Sequence, residues 1–306
     1  MARVADRLPE NAPGDLYVDA QCIDCDTCRE LAPAVFARAD RGLSYVARQP
    51  SGGGERLRAL QALVSCPVAA IGLQDAASSP PLGEASRVPR LEKADVRAAA
   101  RSLPVEIADG IYACGWASAD SYGAQAYLIR RPGGNVLVDS PRAARPLLGR
   151  LEELGGIATM FLSHRDDVAD HAVFARRFGC RRILHADDAS AGTRDVETLL
   201  RGRDPIRFDV DLVAIPVPGH TRGSTALLYR DEFLFTGDHL WWDADEGGLH
   251  ASRSVCWWSW SEQKQSLRRL LEHSFRAVLP GHGGRHVAES EEAMRAELKD
   301  LVERLG

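Results

Sequence analysis

The sequence predicts an α/β protein: a small, cysteine-rich α+β domain followed by a two-sheet sandwich with helices on its outer faces. Three observations carry this prediction. Four of the seven cysteines fall in the first quarter of the chain, three of them in the stretch CIDCDTC. A segment rich in Pro, Ser and Ala, QDAASSPPLGEASRVPR, separates that region from the rest. Beyond it, short apolar runs first cluster and then alternate with amphipathic stretches, the pattern of sheets covered by helices. The expected boundaries are 1–78 for the first domain, 79–102 for a linker and 103–306 for the second domain.

The elements of the second domain follow in order. AQAYLIRRPGGNVLVDSP is two strand-like runs around a Pro-Gly-Gly turn. RAARPLLGRLEELGG reads as a helix with a glycine stop. IATMFLS is a short buried strand, and the segment beyond it to Phe178 reads as helical. RRILH, DLVAIPVPGH, TALLYR and EFLFTGD are further strands, the last three separated by glycine-containing turns. SEQKQSLRRLLEH is an amphipathic helix, FRAVLPGH a strand, and ESEEAMRAELKDLVERL a charged closing helix.

Composition narrows the function. A net charge of -5 gives no electrostatic reason for nucleic acid or an anionic membrane as partner. No apolar run reaches the length of a membrane helix. The opening MARVADRLPENAPG lacks the apolar core of a secretory signal, so the expected location is cytoplasmic. Thiols stay reduced there, so the cysteine cluster calls for a metal rather than disulfides. Cys22, Cys25 and Cys28 are spaced three apart, and Cys66 is followed by Pro67. A loop with two residues between ligands can wrap three corners of an iron–sulfur cubane while a distant cysteine caps the fourth. Four thiolates also suit zinc, although zinc sites more often use two separated pairs.

These residues resemble the single-cluster bacterial ferredoxins. CIDCDTC and SCPVAAIGL match at all four cysteines, and the resemblance implies a [4Fe–4S] cluster on Cys22, Cys25, Cys28 and Cys66. It is silent on whether the cluster moves electrons.

In the second domain, four segments bring imidazoles and carboxylates to the ends of apolar runs: SHRDDVADH, PVPGHTRGS, FTGDHL and LPGHGG. Loops leaving one edge of a sheet can converge, and function concentrates on them. Singly, a His or Asp after a glycine is usually a turn or surface residue; four in succession are harder to dismiss. Together the segments resemble the metallo-β-lactamase superfamily, with its αββα sandwich, over about the last two thirds of the chain. By that resemblance His220 ligates one metal, Asp238 bridges two, His282 ligates the other, and Asp139 supports the ligands from behind. The first motif departs from the family's His-x-His-x-Asp-His. His164 matches its first His and Asp170–His171 its final pair, but two extra residues intervene and Asp166 stands where a second His belongs. Asp166 and Asp170, like Asp167 and His171, are four apart and would share a helical face. Two registers are therefore open. The favoured one takes His164, Asp166, Asp170 and His171 as ligands, with Asp170 also orienting the nucleophile or accepting its proton, and leaves Asp167 in solvent. One or two ions of Zn, Fe or Mn are expected, the extra carboxylate favouring Fe or Mn.

The other histidines are assigned bland roles: His185 at the surface or capping a helix, His239 outward-facing, His250 in a loop near the mouth, His273 and His286 structural or solvated. Five of the six tryptophans lie between Trp241 and Trp260, where they either pack against the closing helix or the ferredoxin-like domain or wall a substrate pocket. The expected function is a metal-dependent hydrolase acting on a small ester, thioester, lactone or phosphoester. The alternative is an iron-dependent redox enzyme fed through the cluster by a redox partner. A third reading, a non-enzymatic docking module, is disfavoured by the intact His220, Asp238 and His282 motifs.

Overall fold

A computed structural model describes residues 1–74 and 91–306. Two compact units emerge: Met1–Arg130 with Pro141–Gly156, and Arg131–Ser140 with Ile157–Gly306. Half of the expected linker, 79–90, lies outside the described residues. Its last part, from Lys93 to Ser102, is helix, because Glu92 and Asp95 form a capping box around its start.

The first unit begins with β1 (Leu16–Val18), α1 (Thr27–Leu31), β2 (Phe36–Arg38), β3 (Ser44–Val46), α2 (Gly53–Ser65) and β4 (Ile71–Leu73). Strands β1 and β4 pair antiparallel, as do β2 and β3. Leu16, Val18, Val35, Phe36, Val46, Ala59, Ala62 and Ile71 form one core with Cys28 and Cys66 at its edge. These strands are short, and one buried side chain ties them together. Asn11 Nδ2 donates to the carbonyls of Leu8 (2.7 Å) and Val18 (2.8 Å), and its Oδ1 accepts from the amides of Val18 (3.0 Å) and Val46 (2.9 Å). The unit continues through α3 (Lys93–Ser102), the antiparallel meander β5 (Val105–Ala108), β6 (Ile111–Ala113) and β7 (Tyr127–Ile129), and α4 (Arg145–Glu153).

The second unit holds the parallel strands β8 (Val136–Val138), β9 (Thr159–Phe161), β10 (Arg181–His185) and β11 (Thr198–Leu200). Against them lies a six-stranded sheet in the order β12 (Ile206–Asp209), β13 (Leu212–Pro216), β14 (Thr225–Tyr229), β15 (Phe233–Gly237), β18 (Ala277–Pro280) and β19 (His286–Val287). Phe161 and Phe208 stack 6.3 Å apart between the two layers. Every residue of β13, β14 and β15 is buried, as expected of strands covered on both faces. Helix α5 (His171–Phe178) packs on β10. Helices α6 (Trp260–Leu270) and α7 (Glu291–Leu305) cover the six-stranded sheet, with Leu267, Leu270, Met294, Leu298 and Leu301 joining Ile215, Ala226, Leu228 and Val278. A hairpin, β16 (Trp241–Asp243) and β17 (Gly248–His250), follows β15. Sequence sets these helices locally: Ser259 accepts the Glu262 amide and Ser290 that of Ala293, each an N-cap. Glu291 and Glu292 complement the positive start of α7. The helix-outside sandwich after a small α+β domain is the architecture the sequence predicts. Among the described residues, no helix is long and apolar enough to cross a membrane.

Replacing Asn11 by Ala strands the buried amides of Val18 and Val46, each worth roughly 1–3 kcal/mol if left unpaired, while the Leu8 and Val18 carbonyls keep the backbone amides of Asn11 and Leu8. Partial rehydration reduces the sum, and a loss of about 3 kcal/mol is expected in denaturant unfolding of the first unit. A midpoint indistinguishable from wild type would show the clasp to be dispensable.

Candidate metal centre

Four loops of the second unit leave the ends of β9, β13, β15 and β18, carrying His164, His220, Asp238 and His282. The first loop is aimed by Asp139, just past β8. Its backbone is left-handed (φ 58°), and its Oδ1 accepts the Ser163 amide at 2.7 Å. Ser163 in turn lies 2.9 Å from His164 Nδ1, and its carbonyl accepts the Thr225 amide at 2.8 Å. Gly237, at φ 51°, is required here, since a Cβ would come within 2.6 Å of Ser163 Oγ. At Gly281 a Cβ would sit 2.7 Å from Asp238 Oδ1 and 2.9 Å from Asp167 Oδ2.

The ligand-type atoms converge. His164 Nε2 lies 4.0 Å from Asp166 Oδ2 and 3.8 Å from Asp238 Oδ2; His220 Nε2 lies 3.6 and 3.7 Å from the same two oxygens. Asp238 turns its other oxygen to His282 Nδ1 at 2.8 Å. Asp167 Oδ2 lies 3.9 Å from His164 Nδ1, and His164, Asp167 and Asp238 form a second ligand group. The Nε2 atoms of His164 and His220 and Oδ2 of Asp167 are buried with no hydrogen-bond partner. Because a carbonyl only accepts, the 2.5 Å contact of His220 Nδ1 with Val255 O fixes the proton on Nδ1 and leaves the Nε2 lone pair facing the carboxylates. Buried polar atoms without partners are costly. Two imidazole lone pairs and two carboxylates around one point fit a divalent cation.

The electrostatics agree. Burial lowers His164 to a pKa of about 4, so it is neutral at pH 7, as a ligand must be. Burial alone would raise Asp238, but His282, His164 and His220 hold it below the usual carboxylate range. The nearby His220, and after it His164, keep Asp166 low despite partial burial. Asp167 goes the other way: burial first, then Asp238, Asp139 and Asp166, raise it well above an ordinary aspartate. Burial also lifts Asp139, to about 7.

The structure brings together His164, Asp166, His220 and Asp238, with His282 on the far oxygen of Asp238. It does not bring Asp170 and His171 into either ligand group. Helix α5 starts only at His171, with Asp170 as its N-cap, so residues 164–170 are not helical and the four-residue spacing creates no shared face. Instead His171 Nδ1 lies 3.1 Å from Arg182 Nη1, and its ring also bonds the Gly192 backbone. Asp167, expected in solvent, is 1 % exposed and takes the inward position. His239, expected to face outward, is equally buried, and both its ring nitrogens lack partners; burial lowers it to about 3. His185 is buried and caps the short helix Ala186–Asp188 by accepting the Asp187 amide.

Asp188 is a residue that sequence reasoning missed. Its carboxylate accepts from the Arg165 amide (3.1 Å), the Gly223 amide (2.8 Å) and the Thr221 hydroxyl, tying the His164 loop to the His220 loop. Its signal was an aspartate just beyond a strand, in HADDAS, the same placement that marked Asp238. A third acidic group, Asp243, Glu246 and His250, lies at the hairpin; His250 bonds Glu246 at 3.1 Å.

In the first unit, Cys22, Cys25, Cys28 and Cys66 line one cavity with Ile23, Thr27 and Ser44. Amides already point at sulfur: Asp24 N is 3.5 Å from Cys22 Sγ and Ala70 N is 3.2 Å from Cys66 Sγ. Burial raises Cys25 to about 11, and Cys28 and Cys66 above the normal thiol value, so their thiolates need a cationic partner. The set fits a thiolate-bound iron–sulfur cluster.

Residues 18–73 match the family model for the 4Fe-4S single cluster domain of Ferredoxin I. The chain is 34% identical over 123 residues to a hydroxyacylglutathione hydrolase of Anaeromyxobacter dehalogenans (strain 2CP-C), a match covering 38% of this chain and 46% of the relative. The chain thus spans just under half the length of that curated relative. Among solved structures it is similar to an archaeal metallo-beta-lactamase superfamily protein from Sulfolobus tokodaii (18% identity, TM-score 0.43, 58% of this chain and 79% of that one). It is also similar to ETHE1 from Myxococcus xanthus (21% identity, TM-score 0.45, 61% of this chain and 83% of that one).

His220→Ala and Asp166→Ala are expected to weaken divalent-metal binding by at least about 10- to 100-fold, since even supporting residues cost that much. His171→Ala is expected to leave metal affinity within about twofold, because its ring is engaged elsewhere. Titration calorimetry with Zn, Mn and Fe(II) on each variant decides between the two registers; a large loss in His171→Ala would restore the one favoured by spacing.

Proposed function

We propose that the second unit is a metal-dependent hydrolase acting on a small ester, thioester, lactone or phosphoester. One observation carries this reading: His164 Nε2, Asp166 Oδ2, His220 Nε2 and Asp238 Oδ2 face one another at 3.6–4.0 Å, with the imidazole lone pairs unpartnered. These four residues would hold one divalent ion, and Asp167, the second oxygen of Asp238 and His282 provide donors for another. A divalent ion there supplies Lewis acidity and a source of hydroxide near neutral pH. The protein's own groups do the rest. Ser163 and the Val255 carbonyl fix the two imidazoles, so the ligands do not reorganise when substrate arrives. Asp167, buried beside His164 and Asp238, would as a carboxylate take a proton from a nucleophilic water and return it to a leaving group. That role was assigned to Asp170 from motif resemblance; the start of α5 favours Asp167 for it.

The four cysteines of the first unit are proposed to hold a [4Fe–4S] cluster, supported by the match over residues 18–73 and by the amide–sulfur contacts. Such a cluster and three further free thiols, Cys114, Cys180 and Cys256, suit the reducing cytoplasm, which we take as the compartment. A second reading has one specific observation in its favour. His164, His220 and one aspartate form a two-imidazole, one-carboxylate set, which suits non-haem iron and a redox reaction fed by an electron-donor partner through the cluster.

Metal-dependent turnover of at least one member of a thioester, lactone and phosphodiester panel is expected. It should fall on the order of 100-fold or more in His164→Ala and after chelation. Turnover that survives both changes would rule out the hydrolase reading. Oxygen consumption on reduction of an iron-loaded protein, with no hydrolysis, would support the redox reading instead.

A further inference from the structure

Residues 114–126 connect β6 to β7 and lie outside the stretch that matches the single-cluster domain. They nonetheless close around its cysteines. The Cys114 amide donates to Ala126 O at 2.9 Å and pinches the neck of the loop. At one end Gly123 presses on Cys25: a Cβ there would stand 2.5 Å from Cys25 Cβ, 2.8 Å from its Sγ and 3.2 Å from Pro67 Cγ. Its φ of 89° also favours glycine. The Thr27 hydroxyl, 3.4 Å from Cys25 Sγ, donates to the Gly123 carbonyl at 3.0 Å although 96 residues separate them.

The other end of the loop fastens the fourth cysteine. Ser65, the residue before Cys66, accepts the Trp116 amide on Oγ at 3.1 Å, and its carbonyl accepts the Ala117 amide at 3.1 Å. Arg142 donates to Val64 O at 2.9 Å and lies over the Trp116 ring, 5.4 Å from its centre. Both cysteine-bearing segments are thus held by residues that a stand-alone ferredoxin-type domain of this length would not contain.

We infer that the β6–β7 connection is the outer wall of the cluster site, a positioning element in which Gly123 and Thr27 fix the Cys25 corner and Trp116 fixes the helix end before Cys66. The inference rests on the proposed [4Fe–4S] cluster. Hydrogen bonding and solvent exposure at the cluster sulfurs govern its electronic properties and its stability. Gly123→Ala forces Cys25 to move. Thr27→Val removes the tie without adding bulk.

The test uses the full chain, purified without oxygen, with iron and sulfide measured per chain. Both variants are expected to keep wild-type circular dichroism. Their reduced-state paramagnetic resonance spectrum should change, and visible absorption should fade in air about fivefold faster than in wild type. If Gly123→Ala does not fold, Thr27→Val alone decides. Wild-type chain without iron and sulfide would overturn the cluster reading and this inference together. A loaded wild type whose folded variants share its spectrum and fading rate would overturn the inference alone.

Discussion

The second unit is organised around a buried group of carboxylates and neutral imidazoles that the protein's own contacts satisfy only in part. Asp139, Asp167 and Asp238 converge with His164 and His220 in a region excluded from water. An uncompensated buried ion costs several kcal/mol. The chain meets part of that cost with a small set of contacts: His282 on Asp238, Ser163 on Asp139 and on His164, Val255 on His220. What remains unpaired is two imidazole lone pairs and one carboxylate oxygen. Those are the atoms a divalent cation takes, so the same desolvation that burdens these donors would favour a bound cation.

The surrounding architecture follows from holding that cage still. Four strands deliver four ligand loops, and Asp188 links two of the loops through three donors. Gly237 and Gly281 occur where any side chain would enter the cage. Helix α6 begins just past the loop whose Val255 carbonyl orients His220. The amides of Trp257 and Trp258 both donate to His220 O at 3.0 Å, so the tryptophan-rich stretch is stapled to a ligand. Trp257 is 62 % exposed and its ring lies 6.0 Å from that of His220, which places part of this stretch beside the cage rather than in the core.

The first unit repeats the same physics with sulfur. Burial raises three of the four cysteine thiols, and backbone amides and a threonine hydroxyl already face the sulfurs. Asn11 ties together the short strands of this unit through Val18 and Val46. Within this unit the four-cysteine segment and the β5–β7 meander are continuous through the contacts at Ser65, Trp116 and Gly123.

Much was legible in the chain itself. The CIDCDTC spacing, the glycine before each of His220, Asp238 and His282, and the alternation of apolar and amphipathic runs are local patterns, and local geometry makes local patterns diagnostic. The order of the layers followed from them. The register of SHRDDVADH was not legible, because it depends on where helix α5 begins. Asp167 turns inward, while Asp170 caps the helix and His171 meets Arg182. The burial of His239, the triple role of Asp188 and the approach of Gly123 to Cys25 were also hidden. Each joins residues distant in the chain or depends on which way one side chain turns. Sequence fixes which donors are available and where strands end. Only tertiary packing decides which donors meet, because burial and distance, not spacing, set the free energy of a buried charge.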